Sequence, residues 1–258
     1  NLEVRVAEGT REIEAAQALR YKVFVEEMGA KLPADAMQLK RDFDHFDAYC
    51  DHLLVIDLAI DGDFEDQIVG TYRLLTQDKA LRHGGFYSQS EYDVDALVAR
   101  HPGKRFMELG RSCVLPDYRN KRTIELSWQG NWAYALKHDV QAMFGCASFH
   151  GHRPHAHAVA LSFLAGMSAA RDDWRVDAIE GRGVSMDMMP IEAIQARAAL
   201  SAMPPLIKGY LRLGAMTSTE AVVDPDFGTT DILIILPVGQ ISERYVNHYG
   251  SDAGRFSA

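Results

Sequence analysis

The chain has little of what would tie it to an oxidising compartment, a bilayer or a nucleic acid. Among its 258 residues are three cysteines, Cys50, Cys113 and Cys146, odd in number, widely spaced and without a Cys-x-x-Cys pair. That excludes a disulfide framework as the source of stability and sets the expectation of a reducing, cytoplasmic setting. Long apolar runs are missing. The longest, residues 158–170 and 232–238, fall short of the roughly 20 residues that span a membrane, and no leader-like run opens the chain. Basic charge is in deficit. Twenty-seven Lys and Arg face 36 Asp and Glu, and the net charge of −9 speaks against bulk nucleic-acid binding. It leaves room for an acidic partner at a local basic cluster and for peripheral contact with the inner membrane surface.

What is present is ordinary globular material, 47% apolar and 24% charged, in a chain long enough to bury a substantial core. No repeat, low-complexity tract or linker stands out, so the expectation is one domain over residues 1–258 with a helical elaboration around 171–215. Alternation predicts a strand at Leu2–Ala7. A helix over Arg11–Glu27 turns Ile13, Ala16, Leu19, Val23 and Phe24 inward. An acid-rich loop, Asp35–Asp51, precedes strands at His52–Ile60 and Gln67–Leu75, which Asp61-Gly62 joins as an antiparallel hairpin. A short helix is expected near Val94–Arg100, a strand at 105–115, a helix at 122–138, a strand at Ala142–Phe149 and a helix at His155–Ala170. Helices at Ile191–Leu200 and Pro204–Leu213, strands at Glu220–Val223 and Asp231–Pro237, and an element at Ile241–Tyr249 complete the reading.

Residues 105–122, RFMELGRSCVLPDYRNKR, are the most informative stretch. A strand carrying Glu108 and Arg111 ends at Pro116 and opens into a basic turn with Arg119, Lys121 and Arg122. The helix that follows begins near Thr123. A strand, a basic turn and a helix N-terminus form a ready anion site, because free N–H groups and the positive dipole end point at the ligand. An acid on the adjoining strand suggests a base working beside a phosphate-bearing carrier. The plainer alternative is a structural Glu108–Arg111 pair with a solvated basic loop.

Arg20-Tyr-Lys-Val-Phe24, Asp44-His-Phe-Asp47, Gly70-Thr-Tyr-Arg73-Leu-Leu75 and Glu108-Leu-Gly-Arg111 follow one another in an order that resembles the GNAT N-acyltransferase superfamily, and within it the acyl-homoserine-lactone synthases. With Cys50-Asp-His-Leu-Leu-Val55, Gly145-Cys-Ala-Ser-Phe149, the run from Pro204 to Gly214 and Asp226-Phe-Gly-Thr-Thr-Asp231, the chain is most similar to the ornithine-lipid N-acyltransferases over roughly residues 15–250. Phe24 is not followed by the Trp of the lactone synthases, and the turn at 119–123 lacks the glycines of acetyl-CoA-binding members. The latter fits a single phosphodiester better than a free pyrophosphate.

The resemblance implies an α/β (α+β) fold with a mixed, mostly antiparallel sheet and helices on both faces. It implies transfer of a 3-hydroxy long-chain acyl group from acyl carrier protein to the α-amine of L-ornithine, giving lyso-ornithine lipid. No permanent cofactor is implied; acyl-phosphopantetheine on the carrier is the co-substrate. Glycine, glutamine or a lactone-forming donor are alternative amines, and a non-catalytic carrier- or lipid-binding module is the alternative of another class.

Glu108 is the candidate base, with Arg111 beside it as the second catalytic candidate. Asp44 and Asp47 are candidates for the ammonium groups, and Arg20, Arg73 or Arg111 for the carboxylate, with Phe24 at the same site. Arg119, Lys121, Arg122 and Thr123 are candidates for the carrier, joined by Lys208 and Arg212. Phe106, Met107, Phe144, Phe149 and Phe163 are candidate acyl-pocket liners. No metal is expected: His150, His152, His155 and His157 are dense, but Gly151 and Pro154 interrupt them. Cys113, with no assignable base, is a poor candidate for a nucleophile.

Overall fold

The computed structural model describes residues 1–241, which pack as two compact units. The first holds Asn1–His83 and Leu109–Val140, the second Gly84–Glu108 and Gln141 onward. Nine strands lie among the described residues: β1 (Leu2–Val6), β2 (Asp51–Asp57), β3 (Ile68–Thr76), β4 (Phe106–Val114), β5 (Ala142–His150), β6 (Gly183–Ser185), β7 (Met216–Thr217), β8 (Glu220–Asp224) and β9 (Thr229–Pro237). The helices are α1 (Gly9–Tyr21), α2 (Ala34–Leu39), α3 (Phe64–Gln67), α4 (Gln77–Arg82), α5 (Val94–Ala99), α6 (Lys121–Lys137), α7 (Ala158–Met167), α8 (Ala196–Ala202) and α9 (Pro205–Arg212). The element expected at Ile241–Tyr249 lies, beyond Ile241, outside the described residues.

In the first unit β1, β2 and β3 form antiparallel ladders, with Val4 opposite Val55 and His52 opposite Arg73, and the residues of β4 from Leu109 on lie beyond β3. Strand periodicity sends neighbouring side chains to opposite faces. Leu54, Ile56 and Ile68 therefore pack with Ala15, Ala16, Leu19 and Val23 of the first helix. Val4 and Leu53 face α6 instead. A Cβ on Gly130 would stand 2.7 Å from Val4 and 2.9 Å from Leu53, so the missing side chain lets α6 settle on the sheet. Helices thus cover both faces of this unit.

Beyond Tyr21 the first helix continues as a π-helical turn, Lys22–Glu27, in which Met28 N–H donates to the Val23 carbonyl at 3.1 Å. The expected helix Arg11–Glu27 is therefore one rod with a wider last section. The expected loop Asp35–Asp51 contains α2 and a 3₁₀ turn at His45–Ala48, and α4 was not anticipated.

In the second unit the first three residues of β4 run parallel to β5, Phe106 beside Ala142 and Glu108 beside Phe144. Strand β5 pairs antiparallel with β9 along its whole length, from Ala142 opposite Pro237 to His150 opposite Thr229. On the far side of β9 lie β8 and β7, and β6 pairs with β8. The fully apolar run Ile232–Leu236 is thereby a central strand buried on both faces. The expected helix His155–Ala170 begins as a 3₁₀ turn, Pro154–His157, and ends at Met167. The segment expected as a helical elaboration carries α8, α9 and two 3₁₀ turns, but also β6. No described helix is long and apolar enough to cross a membrane.

Candidate functional site

The first unit gathers most of the charged candidates into one buried lattice. Arg20, at the end of α1, forms ion pairs at 2.9 Å with Asp42 and with Asp47. Arg73 on β3 donates to Asp44 at 2.6 Å, and Arg111 on β4 reaches Asp42 at 3.2 Å and Asp44 at 3.3 Å. The Asp44 carboxylate also accepts the Phe46 N–H, while Asp47 accepts the Asp44 N–H, a reciprocal cap of the 3₁₀ turn. Three guanidinium groups meet three carboxylates, so the charges balance.

His52, fully buried on β2, lies with Nδ1 3.4 Å from an Arg20 nitrogen and Nε2 3.3 Å from the Asp47 carbonyl oxygen. A neutral ring protonated on Nε2 satisfies both. Burial first, then the adjacent Arg20 charge, push its pKa down to about 4. Burial would raise the Asp44 carboxyl, but Arg73, then Arg111, outweigh it and hold the group below its ordinary value.

Two members reach the edge of the lattice. Asp44 is 23% exposed and Arg111 11%, whereas Arg20 and Asp42 are sealed. Arg111 has φ +48°, a left-handed backbone in mid-strand that non-glycine residues rarely adopt. That turn of the chain aims the guanidinium at Asp42 and Asp44. Phe24 lies half-buried in the π-helical turn against the core that Leu19 and Val23 share.

In the same unit, the turn after β4 is less free than its sequence suggested. Arg119 donates to both oxygens of Glu27 at 2.6 and 2.7 Å, and Lys121, largely exposed, lies 3.6 Å from Glu125. Arg122 is exposed. Thr123 is buried and its N–H is taken by Asn120, the cap of α6, at 3.1 Å. Cys113 belongs to the apolar core of this unit, and burial pushes its thiol up to about 12, which removes it as a nucleophile at neutral pH.

The second unit builds a different site around the loop Tyr87–Glu91. Glu108 is buried, and its carboxylate accepts the Tyr87 N–H at 2.8 Å, the Ser88 N–H at 2.8 Å and the Ser88 hydroxyl. Cys146 on β5 donates toward the same Ser88 hydroxyl at 3.5 Å and toward Glu91 at 3.3 Å. Burial above all drives the Cys146 thiol far up. Burial, then the nearby Asp231 charge, raise the Glu91 carboxyl to about 7. Ser88, Glu91 and Asp231 were not singled out in the sequence, and the only signal available was the pair of acids framing the turn in Asp224–Asp231.

The proposed acyl liners do not share one surface. Phe106 and Phe144 lie on the Glu108 face, their ring centroids 6.2 Å apart. Met107 and, on β5, Phe149 point to the opposite face by alternation, and Phe163 lies on α7. The first four are fully buried core residues. Lys208 and Arg212 lie on α9. Among the described residues the acids and ligating side chains whose oxygens or nitrogens converge within 4.8 Å are Glu91, Asp224 and Asp231, not the histidines of residues 150–157.

Comparison with known proteins fits this architecture. Residues 19–129 match the family described as Acetyltransferase (GNAT) domain. The chain is 62% identical over 256 residues to the L-ornithine N(alpha)-acyltransferase of Agrobacterium fabrum (strain C58 / ATCC 33970), covering 99% of this chain and 87% of that protein. It is 63% identical over 258 residues to the protein of that name from Rhizobium meliloti (strain 1021), and 55% identical over 256 residues to that of Brucella abortus (strain 2308). Those alignments cover 100% and 99% of this chain, and 87% and 91% of the respective relatives. Among solved structures, the CoA-dependent acyl-homoserine lactone synthase BjaI, with SAM and isopentyl-CoA, superposes with a TM-score of 0.53 at 12% identity, covering 100% of this chain and 92% of that one. The acyl-homoserine lactone synthase LasI gives 0.50 at 13% identity, covering 97% and 95%. These two likenesses speak to fold alone.

Proposed function

The chain belongs to the family of L-ornithine N(alpha)-acyltransferases, and from that membership we propose that it acylates the α-amine of L-ornithine. The donor in this reading is a 3-hydroxy long-chain acyl thioester on acyl carrier protein, and the product is lyso-ornithine lipid. The observation that carries it is an identity of 62% extending over 99% of the chain.

The chemistry asks first for a free amine. An α-ammonium with a pKa near 8 loses its proton at a cost of about 1.4 kcal/mol per pH unit. Glu108 is the group proposed to accept it. Its support is local: a buried carboxylate oriented by three donors, as a positioned base requires. The amine nitrogen then bonds to the thioester carbon while the carbonyl electrons move to oxygen. Collapse of that intermediate expels the phosphopantetheine thiolate, which takes up a proton.

Of the basic residues proposed for the carrier, Lys121 and Arg122 are exposed, and Arg119 already shares its charge with Glu27. In the charged lattice Arg20, Arg73 and Asp47 are sealed, so their proposed part is to hold Asp44 and Arg111, the two members a substrate can reach. The product, one acyl chain on a charged amino acid, suits a brief stay at the membrane surface.

The test incubates purified protein with acyl carrier protein thioester and a panel of amines, following thiol release and product mass. Release with ornithine, giving the N-acyl product, is expected. Turnover of acyl-CoA but not of the carrier thioester would overturn the donor, and turnover of glycine or glutamine alone would overturn the acceptor.

A further inference from the structure

The second unit contains a solvent-open cavity of about 580 Å³ that the chemistry above does not use. Tyr87, Ser90, Glu91, Arg182, Asp224 and Asp226 line it. Carboxylate oxygens of Glu91, Asp224 and Asp231 converge within 4.8 Å at its base. A further acceptor faces the same way. Thr229 stands directly opposite Asp224 in the β8–β9 ladder and two residues before Asp231, so all three side chains occupy one face of the sheet. Thr229 is only 3% exposed, and its hydroxyl oxygen is buried without a protein partner. A buried hydroxyl in that position calls for a donor.

Charge on this face is unbalanced, unlike that of the lattice in the first unit. Three carboxyl groups have one guanidinium nearby, Arg182, 3.9 Å from Glu91 and engaged with the carbonyls of Ser90 and Val223 at 2.9 Å. Glu91 responds by holding its proton up to about pH 7. Such a group of oxygens attracts a cation with several N–H donors. The guanidinium in the wall disfavours a divalent ion, which would also leave most of the cavity empty.

We propose that this cavity receives the ammonium group at the far end of the acceptor's side chain, with Glu91, Asp224, Asp231 and the Thr229 hydroxyl selecting a diamino acid over a neutral one. The proposal rests on the reading that ornithine is the acceptor. Its placement suits that reading, because the loop whose Tyr87 and Ser88 orient Glu108 also supplies Glu91.

The test measures kcat/KM for ornithine and for norvaline, which has the same carbon skeleton without the terminal amine, in wild type, Glu91→Gln and Asp224→Asn. The expected result is a fall of about 10- to 100-fold in the ornithine-to-norvaline ratio, carried by KM, as befits loss of one charge-assisted contact. An unchanged ratio in both variants overturns the proposal. So does saturable Mg²⁺ or Ca²⁺ binding that the same variants abolish while amino-acid preference stays put. If wild type turns over neither amino acid, the acyl-transfer reading fails by itself. Calorimetric binding of ornithine against norvaline then still decides the cavity, equal affinity overturning it and a preference lost in Asp224→Asn supporting it.

Discussion

Two buried charge clusters, one in each unit, follow opposite rules. Around Arg20 three guanidinium groups answer three carboxylates, nearly every oxygen is engaged, and the imidazole in their midst is kept neutral. Around Glu91 three carboxyl groups share one distant guanidinium, and one of them keeps its proton to about pH 7. A balanced, sealed cluster fixes geometry. It gains little net stability, because desolvation offsets most of the attraction, but it tolerates no loss of a partner. An unbalanced cluster beside a cavity costs the free protein stability and is relieved by a cation. The contrast separates residues that hold a site from residues that recruit to it.

The sharpest test of that division is at the chemistry. Glu108→Gln should lower turnover by about 10²- to 10⁴-fold while leaving carrier affinity nearly intact. Wild-type rates in this variant would remove Glu108 from the base role and leave the second unit with recognition alone. Next, Arg20→Met should destabilise the fold by about 3–5 kcal/mol, read as a lower denaturant midpoint, because Asp42 and Asp47 would be left buried with too little positive charge. A midpoint unmoved by more than ~1 kcal/mol would break the claim that the lattice is sealed.

The pH dependence of the two clusters should have opposite signs. In the folded chain His52 refuses a proton until about pH 4, whereas the unfolded chain takes it near 6.5. Stability therefore falls as pH drops through that window, by an amount on the order of 3 kcal/mol, and the depressed Asp44 adds to the loss at still lower pH. His52→Asn should flatten the slope between pH 6.5 and 4; an unaltered slope would assign it elsewhere. Glu91 works the other way. Its folded-state pKa near 7 lies above the ordinary 4.5, so its cost grows as pH rises from 4.5 to 7 and is fully present beyond. Glu91→Gln should raise the thermal midpoint at pH 8 by the equivalent of about 1–3 kcal/mol and make no difference near pH 4.5. Equal midpoints at both pH values would contradict the imbalance.

Much of the first unit was legible in the sequence because its cues are local. Alternation marked β1, β2 and β3, Asp61-Gly62 marked their hairpin, and the inward stripe from Ala16 to Val23 marked α1. The charged motifs around Arg20, Asp44, Asp47, Arg73 and Arg111 pointed to one place, and the structure brings them together. Their mutual neutralisation was not readable, since pairing depends on the left-handed turn at Arg111 and on the 3₁₀ cap at Asp44. The second cluster was invisible. Glu91 meets Asp224 and Asp231 from more than a hundred residues away, through a ladder that sequence alone does not register. The phenylalanines misled for the opposite reason: they crowd the sequence near Glu108, yet strand alternation sends Phe149 to the far face and Phe106 into the core.

The π-helical turn at Lys22–Glu27 has a bearing on how the gene can change length. Its wider winding accommodates one more residue than a regular helix would over the same rise, so deleting a single residue there lets the segment rewind as α-helix. Everything beyond the deletion would then swing by about 100° about the axis relative to Arg20. Glu27 would leave Arg119, and the side chains between Phe24 and Met28 would face new neighbours. Shortening the segment by one codon should therefore be worse tolerated than most point changes within it.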